Sequence, residues 1–209
     1  MYIIVKNSRL SLLAFIVLIV FSVVSYSCIK EEDPKAVVIG EPFEGGVVGH
    51  IFEPGDPGFV DGETHGIIIA PVEQVFEAQW GCQGTEVTGT STEVGFGRIN
   101  TEKVLAFHDA LPNFYTNPTQ CHPDNDGTVA ARLTIGFENG GFNDWFMPSL
   151  KEMDFLYQNR DKIGGFSTVE YWSSCESNAV NACVMSFITG EQLSRPKSEL
   201  RRVRVIRFF

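Results

Sequence analysis

The sequence predicts an α+β domain with two helices, many short strands and long loops, placed behind an N-terminal export segment. Three observations lead there. Short β-branched runs alternate with Gly- and Pro-rich turns from Val37 to Ala70, and strand-like runs return after Glu170. Two segments carry helical periodicity together with start and stop signals. The composition, 20 Gly and 17 Phe against only 4 Met, suits a turn-rich, aromatic-packed domain better than a helical bundle. At 209 residues, 44% hydrophobic and 20% charged, the chain is long enough for one full core and too apolar for disorder. Lys and Arg number 16 against 26 Asp and Glu, a formal charge of −10. Such a field repels phosphate backbones and argues against general nucleic-acid binding.

The first residues read as an address. Lys6 and Arg9 precede an apolar run from Leu10 to Val24, which ends in Ser25-Tyr26-Ser27-Cys28. A basic start, a short apolar stretch and a small residue before the break form a secretory signal. The run is shorter than the ~20 residues that span a bilayer comfortably. Cys28 after Ser27 resembles a bacterial lipobox, although Ser25 stands where Leu or Val is usual. The resemblance implies that residues 1–27 are a lipoprotein signal peptide and that Cys28 becomes the lipidated first residue. An uncleaved anchor and an ordinary signal peptide cut nearby are the alternatives. Residues 28–37 follow as a charged linker, and Lys30-Glu31-Glu32-Asp33 within it resembles the acidic tag of Bacteroidota surface lipoproteins. The expectation is an exported outer-membrane lipoprotein, exposed at the cell surface and held by its lipid.

The elements of the mature chain follow in order. Val37–Ile39, Val47–Phe52 and Gly66–Ala70 read as strands, separated by Gly45-Gly46 and by Pro54–Gly58. Gln83–Arg98, rich in Gly and Thr, reads as an exposed loop. A helix is expected from Asn100 or Thr101 to Leu111, because Val104, Phe107, His108 and Leu111 form one stripe and Pro112 stops it. Asn113–Gly127 is a second polar loop, and Thr128–Thr134 opens another short helix or strand. The clearest helix begins at Ser149, which makes a capping box with Glu152; Leu150, Met153, Leu156 and Tyr157 form its buried face, and Gly164-Gly165 end it. Glu170–Ser174, Cys183–Ile188 and Val203–Phe209 read as strands. Along the last, Val203, Val205 and Arg207 share one face, with one arginine of the run expected as a buried partner for a carboxylate.

Cys82, Cys121, Cys175 and Cys183 remain in the domain, and four cysteines in an exported chain suggest two disulfides with three possible connectivities. Cys175 and Cys183 flank the polar stretch Glu176–Ala182, a proximity that favours their pairing and leaves Cys82 to Cys121. Zinc is disfavoured, because no C-x-x-C occurs and His50, His65, His108 and His122 do not pair at ligand spacing. Asp124-Asn125-Asp126-Gly127 is the best oxygen cluster for calcium, with Asp124 and Asp126 as the candidate ligands. It is too short for an EF-hand loop, so a solvated turn is preferred and no cofactor is expected. Gly-x-Ser-x-Gly, metalloprotease and phosphate-loop signatures are missing from the sequence, which points away from an enzyme.

An ordered set of motifs then emerges: Gly45-Gly46-Val47-Val48, Gly66–Pro71, Trp80, Gly95-Phe96-Gly97 with Asn100-Thr101, and Ala130–Leu133. The densest is Asp144-Trp145-Phe146-Met147-Pro148-Ser149-Leu150-Lys151-Glu152-Met153, followed by Ile163–Phe166, Tyr171-Trp172-Ser173-Ser174 and Val203–Phe208. In this order the set resembles the Lcl C-terminal domain family, named for a bacterial collagen-like adhesin, over residues 38–209. The resemblance implies a C-type-lectin-like fold, two helices packed on a small twisted antiparallel sheet with long loops. The namesake's sulfated polysaccharide does not transfer to so acidic a chain. Cys175 and Cys183 stand where the family has Thr and an aromatic, consistent with a cross-strand bridge.

The function expected is a surface-anchored, non-enzymatic adhesion module for an extracellular glycan or protein ligand. Its loops are Gln83–Gly97, Asn113–Gly127 and Glu176–Ala182, with Asn113, Asn117, Glu176, Asn178 and Asn181 as contact residues. Trp80, Trp145 and Trp172 are read as core rather than sugar platforms. The alternatives are a cysteine- or metal-dependent enzyme on a lectin-like scaffold, and a structural envelope lipoprotein without a ligand. The sequence does not set the oligomeric state.

Overall fold

Ile67, Ile68 and Ile69 are all fully buried, on a strand whose two faces both meet apolar packing. Side chains alternate along a strand, so Ile68 joins one cluster, around Trp80, Trp145 and Trp172, while Ile67 and Ile69 join another, around Phe146, Met153 and Leu156. The computed structural model describes residues 36–72 and 76–209. The expected signal peptide, the lipidated Cys28 and most of the charged linker lie outside the described residues.

The isoleucine strand is β3 (Gly66–Ile69) of a four-stranded antiparallel sheet in the order β1 (Pro42–Phe43), β2 (Gly46–Ile51), β3, β9 (Ile206–Phe208). A second, five-stranded sheet runs β4 (Phe76–Ala78), β8 (Arg201–Val203), β5 (Glu170–Glu176), β6 (Asn181–Ser186), β7 (Gln192–Pro196). Its pairings are antiparallel except β5 with β8, which are parallel and paired at Tyr171 and Arg202. The domain is therefore α+β, with two sheets where one small sheet was expected. The expected last strand is divided between them: Val203 ends β8, Arg204 and Val205 cross over, and Ile206 begins β9. Buried Arg204 holds that crossover by donating to the carbonyls of Gly164 at 3.0 Å and Ala70 at 2.8 Å, with its guanidinium over the Phe166 ring. Arg207 is the buried arginine with carboxylate partners, donating to Asp144 at 2.7 Å and Glu44 at 2.8 Å.

Three helices complete the described residues: α1 (Phe96–Ala110), α2 (Leu150–Gln158) and the short α3 (Arg160–Ile163). Val104 of α1 belongs to the tryptophan cluster, and Leu150, Met153 and Leu156 of α2 to the other. The capping box at Ser149 is present, with Glu152 N–H donating to Ser149 Oγ at 3.3 Å and Ser149 N–H donating to the Glu152 carboxylate at 2.7 Å. The other oxygen of Glu152 accepts the N–H groups of Gly95 at 2.8 Å and Gly97 at 3.4 Å. One buried carboxylate thus satisfies orphan donors at the start of both helices. For this reason α1 begins at Phe96, four residues before Asn100, and the end of the expected Gln83–Arg98 loop is helical. Gly97 makes the approach possible: a Cβ there would lie 2.3 Å from Glu152 Oε2 and 2.7 Å from the Met147 carbonyl. Ala130–Thr134 forms a 3-10 turn, within the segment expected as a short helix or strand.

Candidate ligand-binding loops

The three loops singled out from the sequence meet one another. Their junction begins at Trp80, whose indole is buried and donates to the Ser173 carbonyl at 3.0 Å. Two residues on, Cys82 is bonded to Cys121, which pins the first loop to the second across 39 residues. Gln83 N–H donates to Asn125 Oδ1 at 3.1 Å, and Gly84 N–H donates to the Ala179 carbonyl at 2.9 Å. These bonds join residue 83 to the second loop and residue 84 to the third. A bridge of this kind stabilises a domain by ~2–4 kcal/mol, largely by restricting the unfolded chain.

Buried polar residues with no such role expected from the sequence carry this junction. Gln79 donates to the carbonyls of Asp124 and Ser198, both at 2.6 Å, and its Oε1 accepts from Asn125 Nδ2 at 3.0 Å and Asp126 N–H at 2.9 Å. Asn125 also donates to the Gly81 carbonyl at 2.9 Å. His108, fully buried on α1, accepts the Cys82 N–H at Nε2 (2.8 Å), which fixes the proton on Nδ1, where it is donated to the Val104 carbonyl at 2.7 Å. Burial of this imidazole lowers its pKa from 6.5 to about 4, with Lys197 adding in the same direction. In the sequence His108 was legible as a member of the helical stripe, while Gln79 and Gln83 showed only their places beside Trp80 and Cys82.

Glu176 requires a correction. It was expected to contact a ligand, but its side chain is 5% exposed and ion-paired with fully buried Lys197. Its carboxylate also accepts the Val87 N–H at 2.8 Å, and its own N–H donates to Thr90 Oγ1 at 3.0 Å. Lys197 donates to the Thr85 carbonyl at 2.8 Å and sits 5.1 Å from the Trp80 ring centroid. Burial pulls the Lys197 pKa down while Glu176 pulls it back. A buried ion pair wired this fully is a brace for the first loop, not a ligand contact.

Of the remaining contact candidates, Asn113, Asn117 and Asn178 are exposed and Asn181 is half-buried. Asn113 takes a left-handed backbone (φ 60°) and its carbonyl receives the N–H groups of Thr116 and Asn117. Asn178 Oδ1 accepts from the N–H groups of Val180 and Asn181, both at 2.9 Å, and so shapes the tip of the β5–β6 hairpin. Asp126 Oδ1 is occupied by Thr128, at 2.8 Å from its N–H and 2.6 Å from its hydroxyl, while Asp124 is exposed beside His122. Among the described residues no group of three or more His, Cys, Asp or Glu is placed to hold a metal ion.

The second expected disulfide is also corrected. Cys175 and Cys183 are free and buried. The two lie on neighbouring strands, but Trp172 pairs with Val184 and Glu176 with Ala182, so three residues of β5 face the single residue Cys183. Nearness in sequence did not anticipate that irregular register. Cys175 Sγ contacts Ser173 Oγ at 3.1 Å, and the neighbouring Cys183 thiol lowers the Cys175 pKa while its own is raised.

The basic run from Lys197 to Arg207 is engaged internally. Arg201 pairs with Glu170 and Glu199, Arg202 with Glu77, and Arg207 with Asp144 and Glu44. Arg195 joins Glu170 at 2.5 Å. These partners neutralise the run, which removes the segregated basic face that a polyanion would need.

No family model matches the chain, and no curated protein matches it. A crystal structure of a fimbrial protein from Bacteroides ovatus is similar at 14% identity, over 69% of this chain and 36% of that one, with a TM-score of 0.42. The chain therefore covers little more than a third of that protein, and the likeness is too loose to bear on fold or activity.

Proposed function

We propose that this chain is a surface-anchored, non-enzymatic binding module with a C-type-lectin-like fold of the Lcl C-terminal type, presenting its joined loops to an extracellular glycan or protein. One observation carries the reading: the three irregular segments are bonded to one another at Cys82–Gly84 and lie on a buried polar frame. Recognition chemistry commonly sits on loops held by a rigid scaffold, and such loops lose little entropy on binding. The exposed amides of Asn113 and Asn117, with the NH2 group of Asn178, supply hydrogen-bonding groups suited to hydroxyl-rich or peptide ligands. A polyanionic glycan is disfavoured, since the basic run is engaged and the chain carries −10. The test is a glycan and protein array probed with the purified full chain, with and without EDTA. The reading expects saturable binding to a neutral glycan or a protein, unaffected by EDTA and weakened by changing Asn113 and Asn117 to Ala. Binding confined to sulfated glycans, or none on either array, contradicts it.

A further inference from the structure

A cavity of about 270 Å³ lies away from that loop junction, between the end of β2, the turn before β3, the end of β9 and the approach to α1. Phe52, Phe208, Phe209 and Val94 form its apolar walls, with Gly58 and Gly95 at its edges. His65 is the single lining residue whose side chain can form a hydrogen bond, and its Nε2 is buried without a partner. Phe52 meets the imidazole edge to face, with centroids 5.4 Å apart, and Phe208 lies 6.0 Å from Phe52. Several backbone groups around the cavity are already engaged. Phe52 N–H donates to the His65 carbonyl, Phe209 and Gly66 exchange N–H···O bonds, and Gly95 N–H is held by Glu152. His65 Nδ1 faces the Glu63 carboxylate at 3.7 Å, while Nε2 is a buried side-chain nitrogen of the lining with no hydrogen-bond partner.

These facts constrain a ligand by elimination. An engineered apolar cavity of about 150 Å³ holds benzene, and drug-sized sites begin near 300 Å³, so this one takes a single ring with a small substituent. No Asp, Glu, Lys or Arg side chain lines the walls, so a compact ion would meet mainly aromatic surface. A polyol would press most of its hydroxyls against aromatic walls. A lone hydroxyl satisfies Nε2 whether that nitrogen accepts or donates, because a hydroxyl does both. We propose that this cavity binds a phenolic ring, as a free phenol or as a tyrosyl side chain, with its hydroxyl on His65 Nε2 and its ring against Phe52, Phe208 and Phe209.

The experiment titrates the full chain with p-cresol, toluene and N-acetyltyrosinamide, following the ring nitrogens of 15N-labelled His65 by NMR. Saturable p-cresol binding is expected, at least tenfold tighter than toluene, with the Nε2 resonance of His65 shifting in step. In His65→Phe that preference over toluene should vanish, while Val94→Phe, which fills the space, should abolish binding with the far-UV spectrum unchanged. Binding of N-acetyltyrosinamide equal to p-cresol identifies a tyrosyl source, and its exclusion identifies a free phenol. Equal binding of toluene and p-cresol, shifts confined to residues outside the cavity, or no saturable binding overturns the proposal.

Discussion

Lowering the pH from 7 to 4 should remove about 3 kcal/mol of stability through His108 alone. The imidazole is neutral in the folded protein because Nε2 must accept the Cys82 N–H in a buried site. Its pKa is about 4 when folded, against the ordinary 6.5 of a free imidazole. The unfolded chain therefore binds the extra proton first, so stability is complete above about 6.5 and declines until the pH reaches about 4. At ~1.4 kcal/mol per pH unit the gap is worth about 3.5 kcal/mol in full, of which about 3 is lost by pH 4, where the folded imidazole is half protonated. The assay is urea unfolding at steps from pH 7.5 to 4, on the wild type and on His108→Phe. The variant starts less stable, because the Cys82 N–H loses its acceptor, but it lacks this titration. Its deficit should shrink by about 3 kcal/mol across the range, while the carboxylates contribute equally to both proteins and cancel. Parallel profiles would refute the assignment of His108 as the neutral acceptor beneath the disulfide.

Other perturbations follow from the same contacts. Glu152→Ala removes the acceptor for three N–H groups at two helix starts and should cost about 3–5 kcal/mol in chemical unfolding, against the 0.5–2 typical of a single cap. A loss below 1 kcal/mol would mean that water replaces it. Gly97→Ala, with its Cβ meeting Glu152 and the Met147 carbonyl, should lower the melting temperature by several degrees, or about 1–3 kcal/mol. Lys197→Met strands the Glu176 carboxylate and should cost about 3–5 kcal/mol, whereas the double change with Glu176→Leu should recover much of it; a cycle showing simple additivity contradicts the brace. Alkylation of the denatured, unreduced protein followed by peptide mapping should label Cys175 and Cys183 and find Cys82 linked to Cys121; a linked Cys175–Cys183 peptide contradicts the structure.

Local signals were legible where one segment decides its own conformation. Ser149 with Glu152 announced α2, and Val104 with His108 at helical spacing marked the buried side of α1. The tryptophans are core, as read: Trp80, Trp145 and Trp172 are each at most 4% exposed. What escaped depends on distant partners. The start of α1 is set by a carboxylate 55 residues away from Gly97, which no window around Phe96 contains. β4 and β7 are short and partly exposed, and exist through pairing with β8 and β6 rather than through their own pattern. Arg204 and Val205 look like strand interior but form the crossover between sheets. At the loops, position was legible and role was not. The three segments do meet, yet Glu176 proved to be bracing because its partner, Lys197, lies 21 residues on, beyond β6 and β7.

Amide hydrogen exchange at Gln83, Gly84 and Val87 tests most directly whether the three loops form one ordered surface. These residues lie outside helix and strand, but each N–H is held by another segment: Asn125, Ala179 and Glu176 in turn. Protection comparable to that of β5 and β6 amides is predicted. Exchange at the rate of a free peptide would mean that the loops move independently, and that there is no common face for a ligand to meet.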